Sequence, residues 1–102
     1  MSLADLDPVI HAPKRLAAMS VLAHSDQVDF GFLRDHLGIS DSDLSKQMTA
    51  LEAAGYVKIN KTGRGRGAAT WYRITTAGRD AYRRHIAALT AIVAGPGPAA
   101  PQ

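Results

Sequence analysis

The sequence contains no cysteine, so disulfides, iron–sulfur clusters and thiol-based sensing are excluded from its 102 residues. Aromatic residues are scarce at 6%, with a single tryptophan. No apolar run approaches the roughly 20 residues that span a bilayer, which argues against a membrane partner. The N-terminus opens Met1-Ser2-Leu3-Ala4-Asp5, without a basic patch followed by an apolar stretch. No signal peptide is therefore expected, and the expected location is cytoplasmic. The usual equipment of an enzyme is missing too: there is no nucleophile–base pair and no phosphate-cradling motif. Asp41, Asp43 and Asp80 do not form a carboxylate pair suited to acid/base work. His11, His24, His36 and His85 show no short ligand spacing, and each is expected to be an ordinary surface or capping histidine. The expectation is a protein that is not an enzyme, with no metal and no cofactor.

What the chain does have is a hydrophobic fraction of 46%, enough for one modest core and too much for compositional disorder. The expected organisation is an N-terminal arm over residues 1–8, one domain over 9–93, and a disordered tail over 94–102. That tail, Ala94-Gly95-Pro96-Gly97-Pro98-Ala99-Ala100-Pro101-Gln102, is too rich in Gly and Pro to hold a helix. The net charge of +3 hides an asymmetry. Residues 1–55 carry four basic side chains (Lys14, Arg15, Arg34, Lys46) against eight acidic ones, giving −4. Residues 56–85 carry Lys58, Lys61, Arg64, Arg66, Arg73, Arg79, Arg83 and Arg84 against Asp80 alone, giving +7. Such a concentration points to an anionic partner, the alternative being a solvated basic face.

Local patterns divide the chain into elements. His11-Ala12-Pro13 reads as the start of a helix, with Leu16, Met19, Ser20 and Ala23 on one small apolar face. Val28-Asp29-Phe30 is a short extended segment at most. A second helix is expected from about Gly31 to Leu37, burying Phe32 or Leu33 with Leu37 and stopped by Gly38. Ser40 caps a third, with Asp43 three residues on and two acids in its first turn. In that helix Leu44, Met48 and Leu51 share one side. Ser42, Lys46, Thr49 and Ala53 fall opposite, flanked by Ser45 and Ala50, and Gly55 closes it. Tyr56-Val57-Lys58-Ile59-Asn60-Lys61 alternates as a half-exposed strand, and Thr70-Trp71-Tyr72-Arg73-Ile74-Thr75 reads as its antiparallel partner. Between them, residues 62–69 form a flexible Gly/Arg hairpin tip carrying Arg64 and Arg66. Trp71 and Tyr72 could be taken for a base-stacking pair, but adjacent strand positions face opposite ways, so core packing and hairpin support is the preferred reading. A last helix is expected from about Thr76 to Val93, with Tyr82, Ile86, Leu89 and Val93 in a stripe of the kind that pairs helices.

This order of elements matches a winged helix-turn-helix: mainly α, with a small β-hairpin wing. The run Asp29-Phe30…Leu33…Leu37-Gly38-Ile39-Ser40-Asp41-Ser42-Asp43-Leu44-Ser45-Lys46-Gln47…Leu51-Glu52…Ala54-Gly55-Tyr56-Val57 resembles the short winged-helix regulators related to the MarR and ArsR groups. Thr70-Trp71-Tyr72-Arg73-Ile74-Thr75…Gly78-Arg79 is similar to the second wing strand and the start of the last helix in that family. The resemblance covers about residues 9–90. It implies a regulator of transcription that binds duplex DNA, with Ser42, Ser45, Lys46 and Thr49 at recognition-helix positions. Short polar side chains there suit a major groove about 12 Å wide. Arg64 and Arg66 at the wing tip suit phosphates or a narrow minor groove, and Lys61 suits a phosphate. The wing departs from the family pattern at Thr62 and Ala69, where a bulky and a basic residue are usual, so the resemblance does not assign wing residues to grooves.

Related regulators pair through their first and last helices. A homodimer is therefore expected, with Leu16, Tyr82, Ile86, Leu89 and Val93 in the interface. A small-molecule effector could lodge between those helices, although no polar cluster defines a pocket for it. The competing reading is a winged helix that binds protein and no nucleic acid. The +7 segment argues against it, because protein interfaces tend to lack concentrated Lys and Arg charge.

Overall fold

The computed structural model describes residues 3–97. A 3₁₀ turn at Leu3–Asp5 leads into α1 (Pro8–His11) and α2 (Pro13–Leu22). A short strand β1 (Val28–Asp29) precedes α3 (Phe30–Leu37) and α4 (Asp41–Ala53). Strands β2 (Val57–Thr62) and β3 (Ala69–Ile74) then form a hairpin, and α5 (Thr76–Ala94) closes the chain. The result is mainly helical, with a small antiparallel sheet of strand order β1-β3-β2. None of the described helices is long and apolar enough to cross a membrane.

Capping chemistry explains the boundaries. The Asp29 carboxylate accepts the Phe32 N–H, and Ser40 Oγ accepts the Asp43 N–H, each a side-chain cap for otherwise unpaired donors. Gly38 ends α3 in the left-handed region at φ 67°, with its N–H directed back to Arg34 and Asp35 carbonyls. This is the conformation its sequence position requires. The helices close on a core in which Ile10, Met19, Leu22, Leu33, Leu44, Met48 and Leu51 are fully buried. From the sheet, Val28, Val57, Tyr72 and Ile74 join them. Val28 pairs with Tyr72, and Val57 with Ile74, so the buried residues share one face of the sheet. Tyr72 takes the core and burial pushes its phenol up to about 12. Trp71 and Arg73 alternate with it on the opposite face.

Several expectations need correction. Phe30 is not extended: it begins α3, because the Asp29 cap starts the helix one residue earlier than expected. Val28–Asp29 is a strand paired with β3, so the hairpin becomes a three-stranded sheet. Of the two candidates in α3, Leu33 enters the core and Phe32 is 56% exposed. On α2 the fully buried positions are Ala18, Met19 and Leu22, while Leu16, Ser20 and Ala23 flank them. The Gly/Arg tip contains a 3₁₀ turn at Gly65–Gly67.

At the N-terminal end, residues 3–8 of the expected arm pack onto the rest of the chain. Asp7 caps α1 by accepting the Val9 and Ile10 N–H groups, and Ile10 is fully buried. At the other end Ala94 completes α5 and Gly95 follows it with φ 75°. The remainder of the expected disordered tail, residues 98–102, lies outside the described residues, as do residues 1 and 2.

Helix α5 turns a face of small residues inward. Its buried positions are Gly78, Ala81, His85 and Ala88. Thr75 Oγ1 accepts the Gly78 N–H at 2.9 Å and donates to the Gly55 carbonyl at 2.7 Å, tying the helix start to the turn after α4. A Cβ at Gly78 would collide with the Tyr56 carbonyl oxygen and lie 2.8 Å from its carbon. That carbonyl is itself held, accepting the Thr75 N–H at 3.0 Å, so it has little room to move. Gly78→Ala should therefore destabilise the protein by about 1–3 kcal/mol, although alanine favours an exposed helix by about 1 kcal/mol. Urea unfolding measures this, and a neutral or stabilising result would contradict the close approach.

Candidate nucleic-acid interface

Helix α4 is two-sided. Leu44, Gln47, Met48 and Leu51 are buried against the core. Ser42, Ser45, Lys46 and Thr49 are all exposed on the opposite side. Ser45 and Thr49 open onto a cleft whose far wall is the hairpin, lined by Ile59, Lys61, Thr70 and Tyr72. Lys61 on β2 thus stands across a narrow trough from the outer face of α4. Arg64 and Arg66 are exposed further along the same hairpin, on either side of Gly65. The structure therefore brings Ser45, Thr49 and Lys61 to one cleft and carries the two arginines beyond it.

The charges around this surface are sorted by internal pairing. Acids in the first turn of α4 suit the helix dipole but would repel a polyanion. Each is answered by a cation from an earlier helix. Arg34 on α3 donates to Asp41 at 3.0 Å and to Asp35 at 2.9 Å. The Asp35 and Asp41 carboxylates hold its guanidinium firmly protonated. Lys14 on α2 pairs with Asp43, and with the Gln47 amide it keeps the Asp43 carboxyl below its ordinary range. Among the described residues, Lys46, Lys61, Arg64 and Arg66 form no ion pair with a carboxylate. The two acids of the first turn of α4 are paired from within, whereas Glu52 near its end is exposed and forms no ion pair among the described residues; the cations at the outer side are left for solvent or a ligand.

Four contributors went unassigned at the sequence level: Lys14, Arg15, Arg34 and Gln47. Arg15 donates through Nε to the Val9 carbonyl and through its terminal nitrogen to Gln47 Oε1 at 2.9 Å. Gln47, only 8% exposed, donates in turn to Asp43 at 2.9 Å. The four-residue spacing of Asp43 and Gln47 is a helix-neighbour signal that the sequence does carry. The partners on α2 and α3 are brought in by the tertiary fold alone.

The expected interface stripe on α5 has mixed surroundings. Tyr82 and Leu16 are partly buried and pack against the core. Ile86 and Leu89 are half-buried, and Val93 is 78% exposed. His85 departs from the expected surface role, being fully buried with its Nδ1 accepting the Asp7 N–H at 2.9 Å. Among the described residues no three His, Cys, Asp or Glu side chains converge in a way that could hold a metal.

Comparison with known proteins agrees with this geometry. The profile of the winged helix DNA-binding domain matches residues 14–93. A transcriptional regulator homologue from Pyrococcus horikoshii OT3 is similar in structure, with 26% identity and a TM-score of 0.80 over 88% of this chain and 89% of that one. The transcriptional repressor BigR from Xylella fastidiosa shares 27% identity at a TM-score of 0.65, covering 86% of this chain and 83% of its own. NolR from Sinorhizobium fredii shares 25% at 0.63, over 82% and 76%. Among curated protein sequences nothing matches at a significant level. With its profile match extending from α2 through α5, this chain belongs to the winged helix DNA-binding domain family.

Proposed function

We propose that the protein is a dimeric transcriptional regulator that reads duplex DNA with α4 and steadies itself with the wing. The observation that carries this reading is the outer face of α4: short, polar, exposed, bordered by cations without an internal ion pair, with the two acids of its first turn answered by Lys14 and Arg34. Ser42, Ser45 and Thr49 hydrogen-bond to base edges or phosphates without holding the helix away from the groove floor. Lys46 reaches a guanine edge or a phosphate. Lys61, Arg64 and Arg66 take the neighbouring backbone, or for the arginines a narrow minor groove. The description of the P. horikoshii and X. fastidiosa relatives as transcriptional regulators supports the regulatory role.

The dimer reading is supported by what α5 leaves uncovered. Its inward face is small and seated on the Leu3–Asp5 turn and α1, while the side carrying Ile86, Leu89 and Val93 lacks full cover within one chain. Pairing through this stripe, with Leu16 and Tyr82 at its edge, would give a two-fold molecule suited to a pseudo-palindromic site, whose successive major grooves lie about 34 Å apart.

Two measurements test the reading. Binding to random duplex should weaken steeply with salt, and the double variant Arg64→Ala, Arg66→Ala should reduce the slope of log K against log salt by about 2, near 0.9 for each phosphate no longer neutralised. Lys46→Ala should instead cut discrimination between cognate and random duplex by about 1–3 kcal/mol if it reads a base. A folded protein that ignores duplex DNA even at low salt would refute the assignment. For the dimer, Val93→Asp places a carboxylate in the stripe at little expense to the single chain, since the site is 78% exposed. Sedimentation equilibrium should show the dimer dissociating at least about tenfold more readily, as one unpaired buried charge implies. An unchanged dimer would remove α5 from the interface.

A further inference from the structure

A chain of hydrogen bonds runs from α5 to the inner side of α4, and α1 is its middle link. At the α5 end, His85 Nδ1 accepts the Asp7 backbone N–H, so that nitrogen carries no proton. A neutral ring must then hold its proton on Nε2, which lies 3.3 Å from His11 Nδ1, with the two rings edge to face at 5.2 Å. The hydrogen-bond roles follow: Nε2–H of His85 donates and Nδ1 of His11 accepts. At the other end the Val9 carbonyl of α1 holds Arg15, and Arg15 holds Gln47 on the buried face of α4. The turn that follows α4 is fastened to the same point, since the Tyr56 hydroxyl donates to Asp7 Oδ2.

We propose that the His11–His85 pair is a proton-sensitive seat for α1, and that protonating it loosens the Arg15–Gln47 hold on α4, so that acidification weakens DNA binding. This rests on the reading of α4 as the DNA-contacting helix. A proton added at His85 Nδ1 would meet the Asp7 N–H, donor against donor. That places a cation in a fully buried position arranged for a neutral ring.

The groups facing the pair set the direction. Burial and the neighbouring His11 push the His85 imidazole below its ordinary value of 6.5, and the Asp7 carboxylate opposes them. Asp7 is already engaged: burial would raise its carboxyl, yet the Tyr56 hydroxyl, the Ile10 and Val9 N–H groups and the charge of His85 hold it low. The hydrogen bond to Asp7 and partial burial raise the Tyr56 phenol against the opposing charge of Arg84, so Tyr56 stays neutral through this range. With His85 depressed in the fold, the unfolded chain takes up the proton first as pH falls. The stability of the seat is full above 6.5 and declines as pH drops through that value toward the folded one.

The sign separates this device from ordinary electrostatics. Protonating histidines elsewhere adds positive charge and should tighten phosphate contacts. Seat failure acts in the opposite direction. Duplex affinity measured at constant ionic strength should fall severalfold, by up to about tenfold, between about pH 7.5 and about pH 5.5. His85→Asn, whose Oδ1 can still accept the Asp7 N–H, should flatten that fall. Affinity that stays level or tightens on acidification overturns the proposal, as does an undiminished fall in folded His85→Asn; should that variant fail to fold, the hydrogen exchange of the unaltered protein decides. Hydrogen exchange of the free protein gives a readout without DNA: the Asp7 amide should lose protection over the same pH range, and retained protection overturns the seat. Lost protection in a protein that binds no duplex at any pH would support the seat and contradict the reading of α4.

Discussion

Helix α4 is held from one side only, and the rest of the molecule is arranged around that constraint. Leu44, Met48 and Leu51 have no exposed surface, so the helix is fixed by side chains whose truncation would each cost about 2–5 kcal/mol. Nothing comparable touches Ser42, Ser45, Lys46 or Thr49, which face outward. A helix anchored this firmly on one face can offer the other to a groove without losing its orientation. Rigid presentation also lowers the ordering cost of binding, because little conformational freedom remains to be lost when DNA arrives.

Electrostatics follow the same division. The acids at the start of α4 support the helix dipole, and their effect on a polyanion is blunted by Arg34 and Lys14. Exposed ion pairs of this kind contribute little to stability. Their value here lies in the local field, since they cancel negative charge where phosphates would come near. The basic residues of the hairpin receive no such cancellation among the described residues, so the positive potential gathers at the cleft and beyond it at the wing tip. Helix α5 serves a different purpose. Its small inward residues allow close seating against the turn after α4, and Gly78 in particular lets its backbone rest on the Tyr56 carbonyl.

Much of this was legible in the residues. The Ser40 cap, the Gly38 stop and the opposed faces of α4 depend on local chemistry, and local chemistry is written in the sequence. The alternation at Trp71 and Tyr72 indicated that at most one of the two would be buried, and the structure selects Tyr72. What stayed hidden depends on distant parts of the chain. Val28–Asp29 becomes a strand because β3 lies beside it, and residues 3–8 meet the body through contacts distant in sequence, among them those of Asp7 with Tyr56 and His85. The inward face of α5 was also obscured, since Gly78, Ala81 and Ala88 carry little hydrophobic signal while the louder stripe of Tyr82, Ile86, Leu89 and Val93 stays partly uncovered. At the candidate site the exposed polar residues could be placed from helix periodicity. Their neutralising partners Lys14 and Arg34 could not, because those ion pairs cross between helices.

The central claim is that the outer face of α4 and the hairpin tip form one surface for duplex DNA. Amide chemical-shift mapping during titration with a duplex tests it most directly. Shifts should concentrate at Ser42, Ser45, Lys46 and Thr49 and along the hairpin from Lys61 to Arg66, with the outer side of the sheet at Trp71 and Arg73 little changed. Shifts centred on Trp71 and Arg73 that left α4 undisturbed would contradict it.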